Sequence, residues 1–91
     1  MTSDAAERIE SMLRERFAPS RFALRDDSAK HAGHAGATSG GGHFHVVIVS
    51  AAFEGKTRLE QHRMVNDTLS ELFGPVIHAL SLETRAPSER T

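Results

Sequence analysis

Cysteine is absent from the 91 residues. That excludes disulfides, thiolate nucleophiles and any metal site built on the chain's own thiols, and it fits a reducing compartment. Histidine, with six copies, is left as the soft nitrogen ligand. Long apolar runs are also missing. VVIVSAAF (46–53) falls far short of the roughly 20 residues that a helix needs to span a bilayer. The start, MTSDAAERIE, has neither the basic opening nor the apolar centre of a signal peptide, so the expected location is cytoplasmic with no membrane contact. Charge of one sign is not in excess either. A net charge of −1 argues against strong general affinity for nucleic acid and leaves only a local basic patch for that role. A chain of this length forms one domain, 1–91, and buries only about 60% of the surface its unfolded state exposes, so a small module is expected rather than a large enclosed active site.

What is present reads as helix, strand, strand, helix, strand. Ala5, Ile9, Met12, Leu13 and Phe17 recur at helical spacing, with Asp4 as N-cap and Glu7 three residues later, which predicts a helix from about Asp4 to Arg16. Pro19 stops it, and RFALRD (21–26) alternates as a short strand. HFHVVIVS (43–50) predicts a second strand with Phe44, Val46 and Ile48 on one side and His43, His45, Val47 and Val49 on the other. Both sides are mostly apolar, which suggests a central position. Thr57 and Glu60 form a capping box that opens a second helix through about Phe73, with Leu59, Val65, Leu69 and Leu72 as its buried stripe. Gly74 and Pro75 end it, and VIHALSLET (76–84) alternates as the third strand. A helical crossover between strands two and three predicts right-handed parallel pairing, hence a small mixed sheet with helices on one face. The ordered core should cover about 3–87, with a flexible loop at about 27–42.

Two motifs invite nucleotide or nucleic-acid readings. SAAFEGKT (50–57) lies between a strand and a helix and ends as a phosphate-binding loop does. Ser50 stands where that loop needs glycine, and Phe53 fills the cradle, so a helix cap after a turn glycine is the better reading. GHAG (33–36) has the spacing of a KH-domain backbone clamp but lies between two strands instead of two helices. Lys56, Arg58 and Arg63 near the helix start are the remaining candidates for phosphate contact.

The histidines differ by position. His62, between Leu59 and Val65 on the helix, reads as a half-buried structural imidazole. His43 and His45 share one strand face, as chelators or as ordinary polar residues. His31 and His34 lie in the glycine-rich loop, where a mobile donor beside a fixed one is a way to complete a metal site shared with another molecule. His78 opens the third strand. Plain zinc binding by the loop histidines is a further reading, and it needs three or four ligands.

DDSAKH (26–31), HFHVVIVSAAFEGKTR (43–58), QHRMVNDTL (61–69) and VIHALSLETRAP (76–87), in that order, together resemble the BolA family over nearly the whole chain. The resemblance implies an α+β fold of class II KH type, with a three-stranded mixed sheet, and an adaptor rather than an enzyme. It implies a monothiol glutaredoxin as partner and a bridging [2Fe-2S] cluster, for which glutaredoxin and glutathione supply thiolates and this chain supplies histidine. Cluster trafficking or iron regulation is the corresponding role. No cofactor is then expected in the isolated chain, a monomer or weak dimer. The family's C-terminal ligand matches His78. Its second ligand comes from the loop: SxxH from Ser28 selects His31, whereas counting back from His43 and Phe44 selects His34. Imidazole in place of thiolate on one iron of such a cluster is established chemistry, and a chain without cysteine can join one only in that way.

The sequence departs from the family at Gln61, where an arginine usually precedes the helix histidine, and in the loop, where ATSGGG replaces the usual proline and glutamate. The alternative function is DNA-binding transcription regulation through Lys56, Arg58 and Arg63.

Overall fold

The computed structural model describes residues 4–27 and 42–89. Helix α1 (Asp4–Phe17) leads into strand β1 (Arg21–Asp26); strand β2 (Gly42–Val49), helix α2 (Arg58–Thr68) and strand β3 (Ile77–Arg85) follow. Asp4 is already helical, within α1 instead of capping it, and the helix runs to Phe17. It ends at Ala18, whose φ of 44° is left-handed and whose N–H donates to the Arg14 carbonyl at 2.9 Å. The flanking sequence reads as a turn because Pro19 cannot continue the helix.

Three strands form one sheet in the order β1-β2-β3. β1 and β2 are antiparallel, and β2 and β3 are parallel, so the sheet is mixed as the helical crossover predicts. Alternation decides the faces. Phe44, Val46 and Ile48 are buried and meet Ile9, Leu13 and Phe17 of α1 and Val65 and Leu69 of α2 in a single core. Phe22, Leu24, Leu80 and Leu82 pack against the same cluster. The helices therefore share one face. The opposite face of β2, with His43, His45, Val47 and Val49, is only half-buried. β2 is central in the sheet, with one face buried and the other half-buried.

The segment between β2 and α2 is tightly built. Ser50, fully buried, donates its hydroxyl to the Phe17 carbonyl at 2.6 Å and accepts from the Ala52 N–H at 3.1 Å, which caps a short 3-10 turn, Ala51–Phe53. Phe53 thereby sinks completely into the core, its ring 5.1 Å from that of Phe17, where burial of one such side chain is worth about 1.5–3 kcal/mol. Gly55, at φ 74°, turns the chain toward α2. Thr57 then caps α2 in the predicted box with Glu60.

Two expectations for α2 fail. The helix stops at Thr68 and is followed by a 3-10 turn, Ser70–Leu72, so it is shorter than the stretch to Phe73. Leu59 is 59% exposed, and Gln61 is buried in its place. The inward stripe is Gln61, Val65, Leu69 and Leu72, and Leu59, two residues before Gln61, lies about 200° around the helix from it.

Candidate functional site

The site begins with an irregularity in the β2–β3 ladder. Gly42 pairs with Ile77, but His43 pairs with Ala79, which leaves His78 as an extra residue on β3. An extra residue bends the strand and re-aims its side chain. His78 is exposed and its ring comes to 5.2 Å from the His43 ring, centroid to centroid. Upstream, Gly74 at φ 104° makes the turn, its N–H donating to the Ile77 carbonyl at 2.9 Å, and this places β3 to begin opposite Gly42.

Both attachment points of residues 28–41 are fixed beside this pair. The Asp27 N–H donates to the His43 carbonyl at 2.7 Å, and the Gly42 N–H donates to the Val76 carbonyl at 2.8 Å. His31 and His34, with the rest of the predicted flexible loop, lie outside the described residues. Among the described residues no three histidines or carboxylates come together as a metal site. The described donor set is thus partial: an exposed His78 with His43 alongside. His45 shares the face with His43, as expected, but its Nε2 faces Glu83 Oε1 at 3.5 Å. The two histidines of β2 are drawn to different neighbours. Sequence reading missed the pairing of His43 with His78, because the register of a parallel ladder and a one-residue slip within it are not visible in periodicity.

His62 is half-buried at the margin of the α2 stripe, as predicted, with Nε2 shielded from solvent and without a hydrogen-bond partner among the described residues. The basic candidates separate. Lys56 and Arg63 are exposed. Arg58 is committed within the molecule: its guanidinium donates to Gln61 Oε1 at 2.8 Å, to the Thr84 carbonyl, and to Glu89 Oε1 at 2.8 Å. Gln61 in turn donates to the Lys56 carbonyl and to Glu89 Oε2, both at 3.0 Å. The Ala86 N–H foremost, then Gln61 and Arg58, hold the Glu89 carboxyl below its ordinary range. At Gln61, where an arginine was the family expectation, the cationic group reaches the network from Arg58 instead.

A family model described as BolA-like protein matches residues 13–89. The chain belongs to the BolA family. An uncharacterised protein from Sinorhizobium, named for its place in the cobS 5′ region, is 41% identical over 87 residues, covering 93% of this chain and 94% of its own. The DNA-binding transcriptional regulator BolA of Escherichia coli is 44% identical over 78 residues, covering 86% and 71%. The chain spans 57% of the length of the human BolA-like protein 1, to which it is 37% identical and of which 89% of this chain is matched. Among solved structures, BolA1 from Arabidopsis thaliana superposes with a TM-score of 0.84 at 35% identity, with all of both chains covered. Two helices against a three-stranded mixed sheet is the BolA fold. Among the described residues no helix is long and apolar enough to cross a membrane.

Proposed function

We propose that this BolA-like protein is an adaptor that binds a monothiol glutaredoxin and contributes histidine to a [2Fe-2S] cluster held between the two, in iron-sulfur cluster trafficking or iron regulation. The observation that carries this reading is the placement of His78. It stands exposed on the β3 bulge, at the end of the sheet where residues 28–41 are anchored, in a chain with no cysteine. The donor set fits a shared centre and not a resident one, since a single exposed imidazole with one neighbour needs ligands from elsewhere. His31 follows Asp27 by four residues, a contour of about 14 Å, and His34 precedes Gly42 by eight, about 28 Å, so connectivity allows either to supply the second imidazole. Coordinated imidazole would raise the potential of the cluster relative to an all-thiolate one. The chain's own part is to present neutral nitrogen at a fixed strand position and to leave the remaining positions to its partner.

The test is to mix the purified chain with each monothiol glutaredoxin of its source, with glutathione, iron and sulfide, and to record visible absorption. Support is a coloured heterocomplex that the glutaredoxin alone does not reproduce. A glutaredoxin spectrum unchanged by the chain, with no co-elution, removes the proposal.

Regulation through DNA is the second reading, favoured by the name of the Escherichia coli relative. Commitment of Arg58 to Glu89, Gln61 and Thr84 leaves Lys56 and Arg63 for phosphate contact, which is a small cationic surface. Salt-dependent binding of duplex DNA by the chain alone, lost in Lys56→Ala/Arg63→Ala, would support it.

A further inference from the structure

The open face of the sheet has a second feature, at the end away from His43 and His78. Register aligns Arg21, Val49 and Arg85 in one row across the three strands, and Ala23, Val47 and Glu83 in the next. With Pro87 these rows line a shallow depression. Of the carboxylates here, Glu89 is engaged by Arg58 at 2.8 Å and Asp27 by Arg25 at 2.8 Å, while Glu83, which lines the second row itself, is exposed with the His45 Nε2 at 3.5 Å. Arg21 and Arg85 have no side-chain hydrogen bond or ion pair among the described residues, and Arg85 is half-buried. A cation that gives up part of its hydration without gaining a counter-charge is unfavourable, and an incoming carboxylate offsets that cost. The floor between the two guanidinium groups is aliphatic, and no aromatic ring lines the depression to stack a base. The complementary surface is therefore acidic polypeptide.

We propose that this end of the sheet docks an extended acidic segment of a partner protein, of the pattern acid-x-aliphatic-x-acid, lying across the strands. The two arginines stand two strand spacings apart, about 10 Å between Cα atoms. Acidic residues four apart in an extended segment are about 13 Å apart on one face, with the aliphatic residue between them on that same face, above Val49. Flexible glutamate and arginine side chains close the difference. Val49 lies six residues along β2 from His43, about 20 Å, so a partner seated here leaves His78 accessible. The inference stands apart from the glutaredoxin reading, and its test involves no metal.

The probe is the capped peptide Glu-Ser-Val-Ser-Glu, titrated into the full-length nitrogen-15-labelled chain and followed by amide shifts, with Gln-Ser-Val-Ser-Gln as its neutral counterpart. Saturable shifts confined to the neighbourhood of Arg21, Val47, Val49 and Arg85 are expected, and the neutral peptide should give none. Affinity should fall at least about tenfold in Arg21→Gln/Arg85→Gln and stay within about twofold in the charge-matched Arg8→Gln/Arg16→Gln, the amide spectrum itself showing that each variant is folded. Four results overturn the proposal. They are no saturable shift, shifts centred on Lys56 and Arg63, equal loss in both double variants, or the same face shifted equally by duplex DNA at matched charge.

Discussion

The rings of His43 and His78 face each other across the β2–β3 ladder, 5.2 Å between centroids and inclined by 34°. They meet because His78 is the unpaired residue of the bulge, so its side chain does not follow the alternation of β3. An exposed imidazole on a bulge adds little to stability, which makes it separable from the fold by mutation.

His78→Ala should therefore melt within about 0.5 kcal/mol of the parent as a free chain while altering the visible spectrum of its complex with a monothiol glutaredoxin. His43→Ala should disturb that spectrum less if His43 only supports the ring beside it. Single changes at His31 or His34 should have small effects if each can replace the other, and the double change should then resemble His78→Ala. Complexes prepared with each folded variant and compared by absorption and circular dichroism decide this. A parental spectrum from His78→Ala would end the case for ligation by His78.

Gln61 should be costly to truncate. Its amide is buried and donates to the Lys56 carbonyl and to Glu89, while its oxygen accepts from Arg58. Gln61→Ala leaves these groups without their partner and opens a small cavity, for an expected loss of about 2–3 kcal/mol in urea unfolding. Gln61→Glu keeps the acceptor for Arg58 but gives up both donated bonds and places a second carboxylate against Glu89, so it should also destabilise. A loss of under about 0.5 kcal/mol in both variants would show that the network adds little.

His62 tests packing against hydrogen bonding. Nε2 is shielded and unpartnered among the described residues, so the ring contributes through contact. His62→Ala should cost about 1 kcal/mol, and His62→Leu, which keeps bulk and removes the unpaired nitrogen, should be at least as stable as the parent. Equal losses in both would mean that the imidazole has a polar role the fold does not reveal. Both variants should retain any cluster-dependent spectrum.

Much of this was legible in the sequence where one residue type leaves few physical options. The Thr57–Glu60 box and the β-branched alternation of β2 each gave the right element, because capping and strand propensity are local effects; the glycine-proline pair marks the turn before β3, while α2 itself already ends at Thr68. Leu59 was misassigned for the opposite reason. Burial of a glutamine depends on hydrogen-bond partners that hydropathy does not register, here Arg58, the Lys56 carbonyl and the distant Glu89, so hydropathy pointed to leucine as the inward residue. Arg58 likewise read as a free cation, and its use by the Thr84 carbonyl and Glu89 depends on tertiary structure. The His43–His78 contact required a register slip that no periodicity encodes.

Acid should loosen the Ala86–Glu89 turn. The Ala86 N–H, Gln61 and Arg58 stabilise the ionised form of Glu89 and lower its pKa, and the backbone N–H of Thr57 does the same for Glu60 in the capping box. An unfolded chain has neither set of donors and binds these protons more readily. The contribution of each carboxylate is then complete above the ordinary glutamate value of about 4.3 and is lost as pH falls through the depressed folded-state value. Glu89→Gln removes one titrating group, so its melting temperature should lie below that of the parent near neutrality and the two should converge in acid. Thermal unfolding of both chains from about pH 3 to about pH 7 measures the gap. A gap that stays constant over this range would show that the Glu89 charge is not what ties the Ala86–Glu89 turn to α2.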